Sequence, residues 1–315
     1  MPHAGPDEPR MTEDREVPLA ELLEEVRRIE AQSSRLVSGV MAGGYSSVFR
    51  GSGIEIDQVR EYVEGDDPRM VDWNVTARVG RPFVKEFVEE RERTLLFVLD
   101  LSASMGGGFG VWSARQMAAR VCACLALAAI ENDDKVGLIA FSRGVDRFVP
   151  PRKGIRHVLR IVRDCLAMPG ADPGTALAPA IEFASRALRR RAIVFVVSDF
   201  LGEGWQQATA LCARRHDVIA VRMLAPELEL PAAAGLLRVR DPETGREQVV
   251  DCGDPATRAA FAARVAAWRG RTEDALRRAG VDRMDVPIPR SPDRNAVARP
   301  ILHFFRMREQ RGMKR

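Results

Sequence analysis

Lysine is almost missing from this chain. Only Lys85, Lys135, Lys153 and Lys314 occur among 48 basic residues, so nearly every positive charge is an arginine. These cations are interleaved with 44 acidic residues, and the net charge is only +4 despite a pI of about 9.0. No broad polyanion-binding face follows, and no nucleic-acid partner is expected. Long apolar runs are also missing. The longest, Val121 to Ile130, is about half of the ~20 residues that a membrane span needs. The five cysteines (Cys122, Cys124, Cys165, Cys212 and Cys252) are odd in number and contain no C-x-x-C pair. Cys122 and Cys124, two apart on a helix, would point in different directions, so neither a disulfide framework nor a zinc site is expected. Reduced thiols fit the cytosol. Residues 1–17 are polar and acidic, without the apolar centre of a secretory signal. They read as a flexible tail, and a cytoplasmic location is expected.

Several catalytic signatures fail as well. There is no G-x-x-x-x-G-K-[ST] loop, no G-x-S-x-G elbow and no Asp-x-Asp at residues 100–102. Gly106 to Gly110 does not spell a dinucleotide fingerprint. The four histidines, His3, His157, His216 and His303, stand away from the acidic loops and offer no triad.

What remains is ordinary soluble composition, 46% hydrophobic and 29% charged. Residues 18–41 carry Leu19, Leu22, Leu23, Val26, Ile29, Leu36 and Val40 at helical spacing, and Gly43-Gly44 stops them. Residues 45–93 mix short apolar stretches with turn signals and read as a small β-containing extension, with Phe49, Trp73, Phe83 and Phe87 too apolar for a free linker. From residue 94 the pattern changes. The runs TLLFVL (94–99), VGLIAF (136–141), AIVFVV (192–197) and VIAVRM (218–223) are apolar throughout. Helices are predicted near 113–131, 154–167, 175–190 and 203–214, with an edge strand at 144–149. Strands apolar on both faces and separated by helices predict an α/β fold, a doubly wound, mostly parallel sheet. A hairpin turned at residues 241–245, a helix over 255–279, an extended piece at 281–288 and a terminal helix over 295–309 complete the chain. The organisation is therefore a tail (1–17), helix plus extension (18–93), the α/β domain (94–310) and a basic tail (311–315).

Ligands of open α/β sheets sit beyond the carboxyl ends of the strands. Asp100 ends the first strand and Asp199 follows AIVFVVS. Asp100 is expected at the solvent edge. Ser102 and Ser104 lie just past Asp100, where a tight loop turns hydroxyls toward the carboxylates. Hard oxygen donors without His or Cys suit Mg²⁺, with Mn²⁺ and Ca²⁺ sharing the preference. The alternative is a strand-end Asp followed by Ser serving only as a turn or helix cap. A second cluster, Arg60, Asp66, Asp67, Arg69, Asp72, Trp73 and Arg78, reads either as an ion-pair network bracing the extension or as a docking surface.

DLSASM after one apolar strand and VVSDF after another resemble the metal-ion-dependent adhesion site of von Willebrand factor A domains. The stretch RGSGIEIDQVREYVEGDDPRMVDWNVTARVGRPFVKEF resembles the signature of a bacterial family of unknown function, the fifty-eighth such domain family. The resemblance covers about residues 45–310. It implies a von Willebrand factor A-like fold with a small N-terminal helix and extension, and an adhesion site at Asp100, Ser102, Ser104 and Asp199. It also implies partnership with MoxR-type AAA+ ATPases, which members often accompany. One departure stands out. Such domains place a metal-binding Thr where this chain has Ala171, which leaves Asp172 or Thr175 for that place, with Thr175 also readable as a helix-start residue.

Three functions remain open from these residues. The first is a cytoplasmic, metal-dependent protein-binding module, not an enzyme, that serves an ATPase in assembly, maturation or chaperone-like work. The second is a metal-dependent hydrolase. The third is a structural module with no ion.

Overall fold

The computed structural model describes Glu24 and residues 54–89, 92–108, 110–168, 174–229, 235–293 and 295–312. The helix expected over 18–41 lies outside the described residues except for Glu24, as do Phe49, Ala171 and Asp172.

The first described elements are strands β1 (Ile54–Glu61) and β2 (Phe83–Glu89), antiparallel to each other, with a short helix α1 (Trp73–Val79) between them. Asp72 caps α1 by accepting the N–H groups of Asn74 and Val75, and Gly80 ends it in the left-handed region at φ 76°. Asp67 plays the same capping part for the 3₁₀ turn Pro68–Met70, accepting the Arg69 N–H. Two acids of the expected ion-pair network are therefore helix caps. Arg60 pairs with Asp66 through two 2.8 Å bonds, which tie β1 to the following turn. Trp73 is 71% exposed.

The main body is a six-stranded sheet. Its strands are β3 (Thr94–Asp100), β4 (Lys135–Phe141), β5 (Val145–Arg152), β6 (Ile193–Ser198), β7 (Asp217–Leu224) and β10 (Asp282–Pro287), in the order β10-β7-β6-β3-β4-β5. All neighbours are parallel except β5, an antiparallel edge. Alternation along β3 assigns its two faces. Leu95, Phe97 and Leu99 enter a core with helices α2 (Ala114–Glu131), α3 (Ile155–Ala167) and α7 (Ala298–Gly312). Leu96 and Val98 enter a second core with α4 (Leu177–Ala187), α5 (Trp205–Ala213) and α6 (Pro255–Arg278). With helices on both faces, the central strands are apolar throughout, as their runs predict.

Helix starts follow local chemistry. Ser113 and Gln116 form a reciprocal capping box at α2, and Asp254 with Pro255 opens α6. The strands β8 (Leu236–Arg240) and β9 (Glu247–Asp251) form the expected hairpin, a separate two-stranded sheet among the described residues. The terminal helix is displaced from its expected span, starting at Ala298 and running to Gly312. All five cysteines are free and buried. No helix among the described residues is long and apolar enough to cross a membrane.

Candidate functional site

The chain leaves β3 for β4 on one side, then returns to place β6 on the other. This reversal makes a topological switch point beyond the carboxyl ends of β3 and β6, the place where such sheets bind ligands. The register aligns Leu99 with Val197, which sets Asp100 beside Ser198. The Ser198 hydroxyl donates to Asp100 Oδ2 at 2.6 Å, and the Ser102 N–H donates to Asp100 Oδ1 at 2.9 Å. Ser198 Oγ in turn accepts the Phe200 N–H at 3.1 Å, joining the loops after both strands.

Asp100 is not at the solvent edge; it is 0% exposed, and Asp199 is 7% exposed. The expected edge position is corrected by the loops that follow both strands and cover the carboxylates. Burial, with the Asp199 charge adding to it, pushes the Asp100 carboxyl up to about 7, against the pull of the Ser102 and Ser198 bonds. Burial also raises Asp199, and the nearby Glu243 carboxylate acts in the same direction, while bonds from the Leu201 N–H and the Ser104 hydroxyl oppose it. Phe200, next in the chain, turns sharply at φ 58°, a region that bulky residues rarely adopt. Its place is fixed by edge-to-face packing on Trp205 and by the Trp268 Nε1–H, which donates to its carbonyl at 3.1 Å.

The hydroxyls of Ser102 and Ser104 lie 3.1 Å apart. An octahedral magnesium ion at roughly 2.0–2.1 Å from its oxygens holds adjacent ligands about 2.9 Å apart. The two hydroxyls therefore fit neighbouring positions on one ion. Among the described residues no three Asp, Glu, His or Cys side chains form a metal-holding group. A cation here would draw on serine oxygens as well as Asp100 and Asp199, and the burial of both carboxylates gives it charge to balance.

Thr175 lies half-buried two residues ahead of α4, its methyl 3.8 Å from where a Cβ on Gly202 would stand. That puts it beside the loop that follows Asp199. Arg60, Asp66, Asp67, Arg69, Trp73 and Arg78 belong to the extension, on β1 or between β1 and β2.

Two members of the site were absent from the sequence reading. Ser198 is one. Glu243 is the other: it comes from the β8–β9 turn, and its Oε1 accepts the Ser104 N–H at 2.8 Å while Oε2 accepts the Gly174 N–H. No sequence signal links Glu243 to residues 139 and 69 positions away.

Comparison with known proteins places this architecture. The family model described as "Protein of unknown function DUF58" matches residues 58–271. A relative, the "Uncharacterized protein Rv1480" of Mycobacterium tuberculosis, is 31% identical over 271 residues, 84% of each chain. Among solved structures, the conserved hypothetical protein BatB from Bacteroides thetaiotaomicron aligns at 18% identity and TM-score 0.42, covering 69% of this chain and 99% of that one. The SpRpn10 VWA domain aligns at 13% identity and TM-score 0.38, covering 66% and 93%.

Proposed function

This chain belongs to the DUF58 family, and from that premise we propose that its α/β domain is von Willebrand factor A-like and that it is a magnesium-dependent protein-binding module rather than an enzyme. The observation that supports this most directly is the gathering of two buried carboxylates and two hydroxyls 3.1 Å apart at the switch point of the sheet. Ser102 and Ser104 would hold the ion directly, with Asp100 and Asp199 bound directly or through water. Thr175 is the described candidate for the place where Ala171 departs from the usual threonine. The ion would supply an electrophilic position that a partner carboxylate completes, because hydroxyls donate oxygen without neutralising its charge. Mn²⁺ or Ca²⁺ would serve the same donor set less selectively.

The partner we propose is a MoxR-type AAA+ ATPase, with assembly, maturation or chaperone-like work in the cytoplasm as the setting. This rests on the family resemblance. Titration calorimetry of the full chain with magnesium should give one site, lost in Ser104→Ala. A pull-down from the native cell should recover the ATPase with magnesium and lose it under chelation. Recovery that is indifferent to both chelation and Ser104→Ala would sink the metal-bridge reading. It would favour a structural loop, for which the donors already on both Asp100 oxygens are the supporting observation.

A further inference from the structure

The turn that carries Glu243 is braced by its own residues. Asp241 Oδ1 accepts the Glu243 N–H at 2.9 Å, and Oδ2 accepts the Thr244 hydroxyl at 2.7 Å. The Gly245 N–H closes the turn on the Asp241 carbonyl at 2.8 Å, with Gly245 at φ 69°, a conformation that favours glycine. The hairpin behind it pairs with no strand of the main sheet, and Leu236 and Val249 on it are well exposed. A lone two-stranded hairpin is marginal by itself. It is thus a self-shaped turn on a two-stranded arm, and it inserts one carboxylate between Ser104 in the loop after β3 and Gly174 ahead of α4. There the carboxylate meets two backbone N–H donors from separate segments, Ser104 and Gly174.

An acidic residue from the chain itself therefore stands at the loop where an acidic residue of a partner would dock. We infer that the β8–β9 hairpin is a tethered, displaceable ligand: Glu243 holds in cis the place that an Asp or Glu on a tight turn of a protein partner takes in trans. The inference rests on the proposed reading of this loop as a protein-docking site, but not on the ion, since the two N–H donors recognise a carboxylate without it. The partner class follows from the contacts. It is an acidic side chain carried on a narrow turn, because a broad surface could not reach between the two loops once the hairpin lifts.

The test uses the full chain and a fluorescent cyclic peptide of residues 240–247 (RDPETGRE) as the probe. A short tether gives the internal ligand an effective concentration on the order of millimolar. A peptide with a dissociation constant near 0.1 mM would then bind the wild type about tenfold more weakly than a protein whose own carboxylate is removed. Glu243→Ala and the size-preserving Glu243→Gln should both show that tenfold gain by fluorescence anisotropy. The same peptide with Glu243→Gln should bind neither. Equal affinity for wild type and variants would overturn the inference and make Glu243 a fixed strut. Failure of both variants to bind the peptide would overturn it too, by denying that the loop accepts an acidic turn. A parallel magnesium titration keeps the two ideas separable. A tenfold gain without any magnesium site would retain the tethered ligand and remove the ion from the proposed function, whereas a magnesium site without the gain would do the reverse.

Discussion

Replacing Ser198 by alanine should destabilise this protein well beyond what a single buried hydroxyl ordinarily contributes. Ser198 is buried at the end of β6, where it donates at 2.6 Å to a carboxylate oxygen of Asp100 and accepts the Phe200 N–H at 3.1 Å. Above a pH of about 7, where the Asp100 carboxyl is ionised and the assay is run, the first bond has a charged acceptor, and such bonds contribute roughly 1.5–3 kcal/mol, against about 1 kcal/mol for a neutral pair. The second leaves a buried N–H without its acceptor, at a cost of about 1–3 kcal/mol where water cannot replace it. The two losses share one oxygen and are not additive, so about 3 kcal/mol is the expected total. Alanine removes a single oxygen and leaves no cavity of note. Thr209→Val is the control, because Thr209 Oγ1 donates at 2.8 Å to the Trp205 carbonyl, a neutral and equally buried bond. It should cost about 1 kcal/mol. Urea unfolding in the presence of a chelator, followed by tryptophan fluorescence, measures both without any contribution from metal. If Ser198→Ala costs no more than Thr209→Val, the reasoning that the buried carboxylate of Asp100 leans on this hydroxyl is refuted.

Other expectations follow from single contacts. Arg222 is 1% exposed and bonded to Asp285 at 2.8 Å and Glu273 at 3.2 Å, so Arg222→Met should cost about 3 kcal/mol in the same urea assay, the low end for breaking a buried pair because both acids are partly exposed. Gly110→Ala would put a Cβ 2.6 Å from Ile288 Cγ2 and 2.9 Å from the Trp112 carbonyl, and overpacking of that kind should lower stability by roughly 1–3 kcal/mol, read as a lowered thermal midpoint. Arg60 holds the Asp66 carboxyl down at about 2 from an ordinary 3.8. A depressed carboxylate stabilises the fold above its unfolded value and loses that effect as pH falls through its folded one. Pepsin cleavage within 54–89 should therefore rise as pH drops from about 4 to about 2. Arg60→Ala should show that cleavage already at the upper end.

The sheet was legible because its central strands are covered on both faces. TLLFVL, VGLIAF, AIVFVV and VIAVRM have no polar face to disguise them, and Asp100 and Asp199 mark where the apolar runs stop. Ser198 was harder to read, since the last residue of a strand looks like a continuation of it. Only the pairing of Leu99 with Val197 turns that serine into a partner of Asp100. The capping roles of Asp67 and Asp72 were visible in principle, as acids just before Pro68 and before a short helix, and they stand beside the charge pairing that the density of arginines suggested. Glu243 had no local signature at all. A hairpin signal says that a turn exists, and it is silent about which loop of the main body the turn will meet.

The burial of Asp100 changes how the site must be probed. An acid at the solvent edge can be replaced by alanine with little effect on folding, and loss of binding then reports on the ligand alone. A fully buried acid that holds the Ser198 hydroxyl and the Ser102 N–H cannot, because its removal orphans both donors. Asp100→Ala therefore mixes two losses, and a weakened partner would not distinguish a missing ligand from a loosened loop. Glu243 lies at the other extreme. Glu243 is half-buried, its turn is held by Asp241, and its carboxylate accepts two backbone N–H groups of the body. Substituting it alters what meets those N–H groups while leaving the strand-end carboxylates in place. Ser104 falls between them: its hydroxyl meets Ser102 and Asp199, while its N–H, a backbone group that Ser104→Ala preserves, still serves Glu243. The ion and the acidic turn can thus be varied independently at one residue and its neighbour, the hydroxyl through Ser104 and the carboxylate through Glu243. Agreement or disagreement between those two variants locates binding energy in the metal or in the backbone donors, a division that substitution of the strand-end acid cannot make.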